Sequence, residues 1–220
     1  MIEAVQQRQS FFWQRLPLIG SILFSLLYFI ATLCYPGGNY LNKSTKGFSW
    51  TQNYWCNLLN EKAINGQHNT ARPIAFAAML ILGLTLITFW YMFPKLANFK
   101  SKERYFIQVC GFLAISISIF IFTSLHDTII NVAGVFGLIA IAGTLIGLRK
   151  LAWTGLFYMG LFVVILIGVN NLLYYQKNLM YYLPVVQKIT FVYFLLWICF
   201  INVRWLSKTG RNTGGNLNHH

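Results

Sequence analysis

Six long apolar stretches, five of them free of any formal charge, decide what this chain can fold into. Residues 16–35, 73–93, 105–125, 128–148 and 151–173 carry no Asp, Glu, Lys or Arg, and 183–203 carries only Lys188. Roughly 20 apolar residues cross a ~30 Å hydrocarbon core as a helix, and Lys188 stands close enough to the start of its run to reach back to the interface. The runs are continuously apolar rather than alternating over ~10-residue segments, so they predict helices and not barrel strands. The first run is too long for the apolar part of a cleavable leader and has no small-x-small site behind it, so it is expected to stay as a span. The sequence therefore predicts an all-α, polytopic membrane protein. Its domain is expected to be a six-transmembrane-helix bundle over residues 1–206, with a mobile, cytoplasmic Gly/Asn-rich tail at 207–220.

Composition removes the competing classes. Charged residues make up 10% of the chain, against about 25% in an ordinary soluble domain. A hydrophobic content of 57% is far too high for a disordered chain. The net charge of +13, from 17 basic and 4 acidic residues, would suit nucleic acid only if the basic groups shared a soluble face. They lie in the gaps between apolar runs, so no nucleic-acid partner is expected. Their distribution sets orientation instead. With the N-terminus in the cytoplasm, that side holds eleven Lys and Arg, including Lys95, Lys100, Lys102, Arg104, Arg149 and Lys150, and the other side holds six. Both termini are accordingly expected in the cytoplasm, in a cell (inner) membrane, with membrane lipids as partners.

The gaps differ greatly in length. His126–Asp127 and Arg149–Lys150 leave room only for tight antiparallel turns, whereas 36–72 is a long outer loop between helices 1 and 2. A loop of that length is usually functional or disordered, and its Trp50, Tyr54 and Trp55 argue for order, with 50–63 as a short interfacial helix. In helix 4, Ala133, Gly137, Ala140, Thr144 and Gly147 recur at spacings of four and three. That small-residue face predicts close helix packing and a central place for helix 4.

Few residues on the outer side can carry chemistry. Asp127 is the only aspartate; it can cap helix 4, or act with His126 beside it. If the loop folds over the bundle, His68 and Glu61 can join them, so His126, Asp127, His68 and Glu61 are the catalytic candidates. Trp50, Asn53, Tyr54, Trp55 and Arg72 from the loop, with Asn131, Asn170 and Asn171 from helices 4 and 5, are the ligand-binding candidates. A catalytic zinc needs three protein ligands, and two histidines with one or two acids and no H-E-x-x-H make a thin set, so no metal and no cofactor is expected. Cys34 and Cys56 can both lie near the outer face, where a disulfide is permitted.

Several motifs resemble a known family. Pro36-Gly37-Gly38 closes helix 1, Asn53-Tyr54-Trp55-Cys56-Asn57-Leu58-Leu59 follows in the loop, Asn69-x-x-Arg72-Pro73 opens helix 2, and a His-Asp step links helices 3 and 4. In these the chain resembles the bacterial six-helix membrane proteins of the domain of unknown function 998 family, over residues 16–205. The resemblance implies the six-helix fold and highlights these residues without implying a reaction. The chain differs from the ceramidase-like intramembrane hydrolases, because its last helices lack H-x-x-x-H. Three functions follow as expectations. The first is binding or sensing of a lipid or small amphiphile in an outer cavity beneath the loop. The second is an outer-face hydrolase or transferase using His126 with Asp127 or Glu61. The third is an accessory subunit with a membrane-protein partner.

Overall fold

The computed structural model describes residues 2–120 and 125–215, with side chains for 13–120, 125 and 127–208. Six α-helices follow in order: α1 Ile2–Leu33, α2 Arg72–Leu96, α3 Ser101–Ser118, α4 His126–Lys150, α5 Thr154–Tyr175 and α6 Leu183–Gly215. Short 3₁₀ turns occupy Trp55–Leu59 and Lys177–Tyr182, and no strand occurs among the described residues. Five stretches are long and apolar enough to cross a membrane: Trp13–Leu33, Arg72–Leu96, Asp127–Lys150, Thr154–Tyr175 and Lys177–Lys208. These make the chain an α-helical protein of multi-pass membrane type. The α3 helix differs from them because its 18 residues include Lys102, Glu103 and Arg104 in the first turn. The part of the expected third span at 121–124 lies outside the described residues.

Local chemistry sets the helix ends. Pro73 falls in the first turn of α2, where its missing N–H costs nothing. At the other end Asn98 adopts a left-handed φ of 50° and its N–H donates to the Lys95 carbonyl at 3.1 Å. Two residues later the Glu103 carboxylate accepts from the Lys100 N–H at 3.2 Å and opens α3. Between α4 and α5 only residues 151–153 remain to reverse the chain. Ala152 takes φ 56°, a region costing an alanine about 1 kcal/mol, and Trp153 N–H closes the turn on the Leu148 carbonyl at 2.9 Å.

Each helix packs against its neighbours in the chain, and α6 returns to α1, closing the bundle. The more enclosed of the two is α2, not α4 as the small-residue face suggested, since α2 meets α1, α3 and α4 and buries Ala75, Ala78, Leu82, Leu86, Phe89, Trp90 and Phe93. The α4 face does form a close seam. A Cβ on Gly147 would stand 2.7 Å from the Phe93 ring, and one on Gly143 would stand 2.6 Å from Ile107. Thr144 completes the seam by accepting from the Trp90 indole N–H at 3.3 Å. So α4 supplies the small residues, and α2 and α3 the larger ones that pack onto them. Because successive helices run antiparallel, Lys95, Lys100, Lys102, Arg104, Arg149 and Lys150 gather at one end of the bundle. Residues 34–71 form a cap over the other end.

Candidate functional site

The cap is a folded unit built on buried asparagines. Gly37 and Gly38 turn the chain out of α1 with φ of 140° and 84°. A Cβ on Gly38 would lie 2.8 Å from the Ile64 carbonyl carbon, so only glycine fits where the two cap segments cross. Asn53 is fully buried; its Nδ2 donates to the Gly38 carbonyl and its Oδ1 accepts from Ser49 N–H, both at 2.8 Å. Asn57 Oδ1 accepts from Tyr54 N–H at 2.7 Å and starts the 3₁₀ turn. Asn69 Nδ2 reaches the Asn57, Leu58 and Asn60 carbonyls at 2.9–3.2 Å, while its Oδ1 accepts from Ala71 N–H at 3.2 Å. A cap without regular structure has no ladder to satisfy its backbone, and these side-chain amides take over that role. Isolated antiparallel bridges at Gly37 with Lys46 and at Lys62 with His68 complete it.

Three bonds fix the cap to the helices. Tyr28 of α1 donates its hydroxyl to the Trp55 carbonyl at 3.0 Å, and the Trp55 N–H donates to the side-chain oxygen of Gln187 of α6 at 3.3 Å. From α6, Lys188 is buried at 7% exposure rather than extended to the interface. Its ammonium donates to the Asn53 carbonyl at 2.5 Å and to the Pro184 carbonyl at 2.8 Å, with the Phe48 ring 5.5 Å away. No carboxylate stands within ion-pair distance of it among the described residues. The charge is accommodated by carbonyl dipoles and a ring face, which a buried ammonium needs in the absence of an acid.

Beneath the cap lies a groove of about 380 Å³ between α1 and α6. Trp50 and Trp55 roof it, Ile22, Leu26 and Phe29 form one wall, and Val192, Leu195 and Leu196 form the other. Its few polar groups are largely spent. Ser21 and Ser25 donate to backbone carbonyls one turn earlier in α1, at 2.7 and 2.8 Å. The Trp55 indole N–H is buried without a hydrogen-bond acceptor, surrounded by the rings of Tyr28 at 4.8 Å, Phe191 at 5.0 Å and Phe24 at 6.2 Å. Ile22, Leu26, Phe29, Val192 and Leu196 are all exposed, so the groove opens sideways onto the apolar flank of the bundle.

The catalytic candidates lie on the cap and in the first turn of α4. His68 and Glu61 are exposed on the cap, connected through the Asn69 N–H bond to the Glu61 carbonyl and the Lys62–His68 bridge. Asp127 sits inside the first turn of α4, with Leu125 at the N-cap, and its Oδ1 accepts from the Tyr174 hydroxyl at 2.6 Å. The side chain of His126 lies outside the described residues. Among the described residues no three His, Cys, Asp or Glu side chains converge. All four cysteines are free. Burial pushes the Cys56 thiol above its ordinary pKa, with Lys188 opposing in part, and burial likewise raises the Tyr54 phenol.

The ligand-binding candidates divide by location. Only Trp50 and Trp55 line the groove. Asn53 is a cap-folding residue, Tyr54 packs edge-on against Tyr40 at 5.3 Å, and Arg72 lies 5.4 Å over the Phe76 ring. Asn131 donates to the Tyr175 hydroxyl at 3.0 Å, joining α4 to α5. Asn170 donates to the Leu166 carbonyl and to Thr190 of α6, while Asn171 is exposed. Sequence reasoning did not find Ser21, Ser25, Tyr28 or the α6 wall, because nothing in an apolar run announces which face meets a groove. The one available signal was Lys188, the single charge inside a run. Comparison with family models, with curated proteins and with solved structures finds no match.

Proposed function

We propose that the protein binds a lipid or small amphiphile in the α1/α6 groove, with the Trp50–Trp55 roof at headgroup level and the chain of the ligand lying between the helices. The observation that carries this reading is the lateral opening of the groove. An apolar slot of about 380 Å³ with two tryptophans at one end and no charged lining residue suits an amphiphile entering from the bilayer. In this reading α3 is the sixth span and the cap faces outward. Both termini then lie in the cytoplasm of a cell with this protein in its inner membrane, in keeping with the basic end of the bundle.

The test is mass spectrometry of molecules retained by full-length protein purified in mild detergent. The groove is filled by Ser25→Phe with Leu196→Trp, and the control Leu84→Trp changes an exposed residue of α2. The expected result is a bound amphiphile in the parent and the control, reduced at least tenfold in the filled variant. Equal retention in all three, with the filled variant eluting as a monodisperse species, overturns the reading.

A further inference from the structure

A second groove, of about 230 Å³, lies on a different flank, between α2 and α3. Its α2 wall presents Ile87 and Tyr91, and its α3 wall presents Tyr105, Gln108, Val109 and Phe112, all at spacings that share a helix face. Gln108 donates to the Tyr91 carbonyl at 2.7 Å and holds the two walls together. This groove runs toward the basic end, the end opposite the cap.

Two cations stand at that mouth. One turn beyond Tyr91, Lys95 folds its ammonium back to 3.6 Å from the Tyr91 ring centroid. Arg104, one turn before Gln108, stands on the face of α3 that carries Gln108 into the groove. Neither cation is ion-paired among the described residues. Glu103, the acid closest to them in sequence, faces elsewhere: it accepts from Lys100 N–H and stands 3.8 Å from the Lys150 ammonium. An apolar slot therefore ends at two uncompensated cations and a phenol hydroxyl.

We propose that this groove is a binding site for an anionic phospholipid, with an acyl chain along Ile87, Val109 and Phe112 and the phosphate between Lys95, Arg104 and the Tyr91 hydroxyl. Charge complementarity selects the occupant. A guanidinium can grip phosphate oxygens with two parallel N–H bonds, and the ammonium adds a point charge. A choline headgroup brings a cation to a mouth that already holds two and has no acid to receive it. The site shares no residue with the α1/α6 groove, so either can fail without the other.

Native mass spectrometry of the full chain in mild detergent tests it, with phosphatidylglycerol and phosphatidylcholine of the same acyl chains as probes. The variant Lys95→Gln/Arg104→Gln removes the mouth charges. Lys102→Gln/Lys208→Gln removes the same charge from exposed positions at the same end. The site predicts that the parent and the Lys102/Lys208 variant prefer phosphatidylglycerol by about tenfold, and that the Lys95/Arg104 variant loses that preference while still eluting as a monodisperse species. Equal loss in the two variants means diffuse attraction to a basic surface and overturns the site. So does a parent with no preference.

Discussion

The cap and the junction where the start of α4 meets the end of α5 are both places where polar side chains meet the ends of apolar helices, yet they are built in opposite ways. In the cap, Asn53, Asn57 and Asn69 are buried, and each satisfies backbone groups that have no helix or sheet to satisfy them. At the junction, Asp127 bonds Tyr174 and Asn131 bonds Tyr175, side chain to side chain and on the exposed surface. The difference teaches how to read polar residues at such ends. A buried amide turned toward carbonyls holds the fold, and removing it leaves those carbonyls unpaired in a dry place. An exposed pair lacks that dry enclosure, so its remaining partner can turn to other groups when one side chain is lost.

The largest expected effect comes from breaking the cap side of this contrast. Asn69→Ala strands up to three carbonyls and the Ala71 N–H, so it is expected to destabilise the cap by about 2–4 kcal/mol. Alkylation of Cys56 reads this out. Its raised pKa keeps the thiolate fraction below that of an ordinary cysteine at any given pH, so labelling in the parent is slow and speeds up as pH rises. Opening the cap restores ordinary solvation, and labelling at pH 7.5 should rise at least tenfold in the variant. An unchanged rate would mean that Asn69 does not hold the cap.

Tyr28→Phe should have an intermediate effect. It removes one hydroxyl from the Trp55 carbonyl under the cap, while the ring keeps its packing on Phe24 and Trp55. A loss of about 1 kcal/mol is expected in thermal unfolding, together with a changed fluorescence of Trp55. The smallest effect belongs to the junction. Tyr174→Phe should change stability by less than about 0.5 kcal/mol, as exposed substitutions generally do. A change as large as that of Asn69→Ala would erase the distinction between the two regions.

Part of this arrangement was legible from residue order alone. Five of the six expected spans, the antiparallel alternation and the basic end follow from run length and the positions of Lys and Arg. The small residues of α4 likewise marked a seam. The choice of α2 over α4 as the more enclosed helix was not legible, because Phe89, Trp90 and Phe93 have the same hydropathy whether they face lipid or protein. Nor was the role of Lys188. A charge near the start of a span reads as one that extends to water, and only the cap folding down onto α6 gives it the Asn53 carbonyl instead.

What the sequence determined by itself is the partition between solvent and membrane, since transfer free energy depends on composition over a window and not on neighbours distant in the chain. What the tertiary structure decided is which polar groups are spent and which remain available. Asn53 and Asn69 looked like binding residues or motif residues, and both are consumed in closing the cap. Trp50 and Trp55 looked like interfacial aromatics and came to roof a groove whose walls, on α1 and α6, stand some 170 residues apart in the chain. A hydrogen bond or a groove needs atoms within a few ångströms of one another, and that proximity is a property of the folded chain alone.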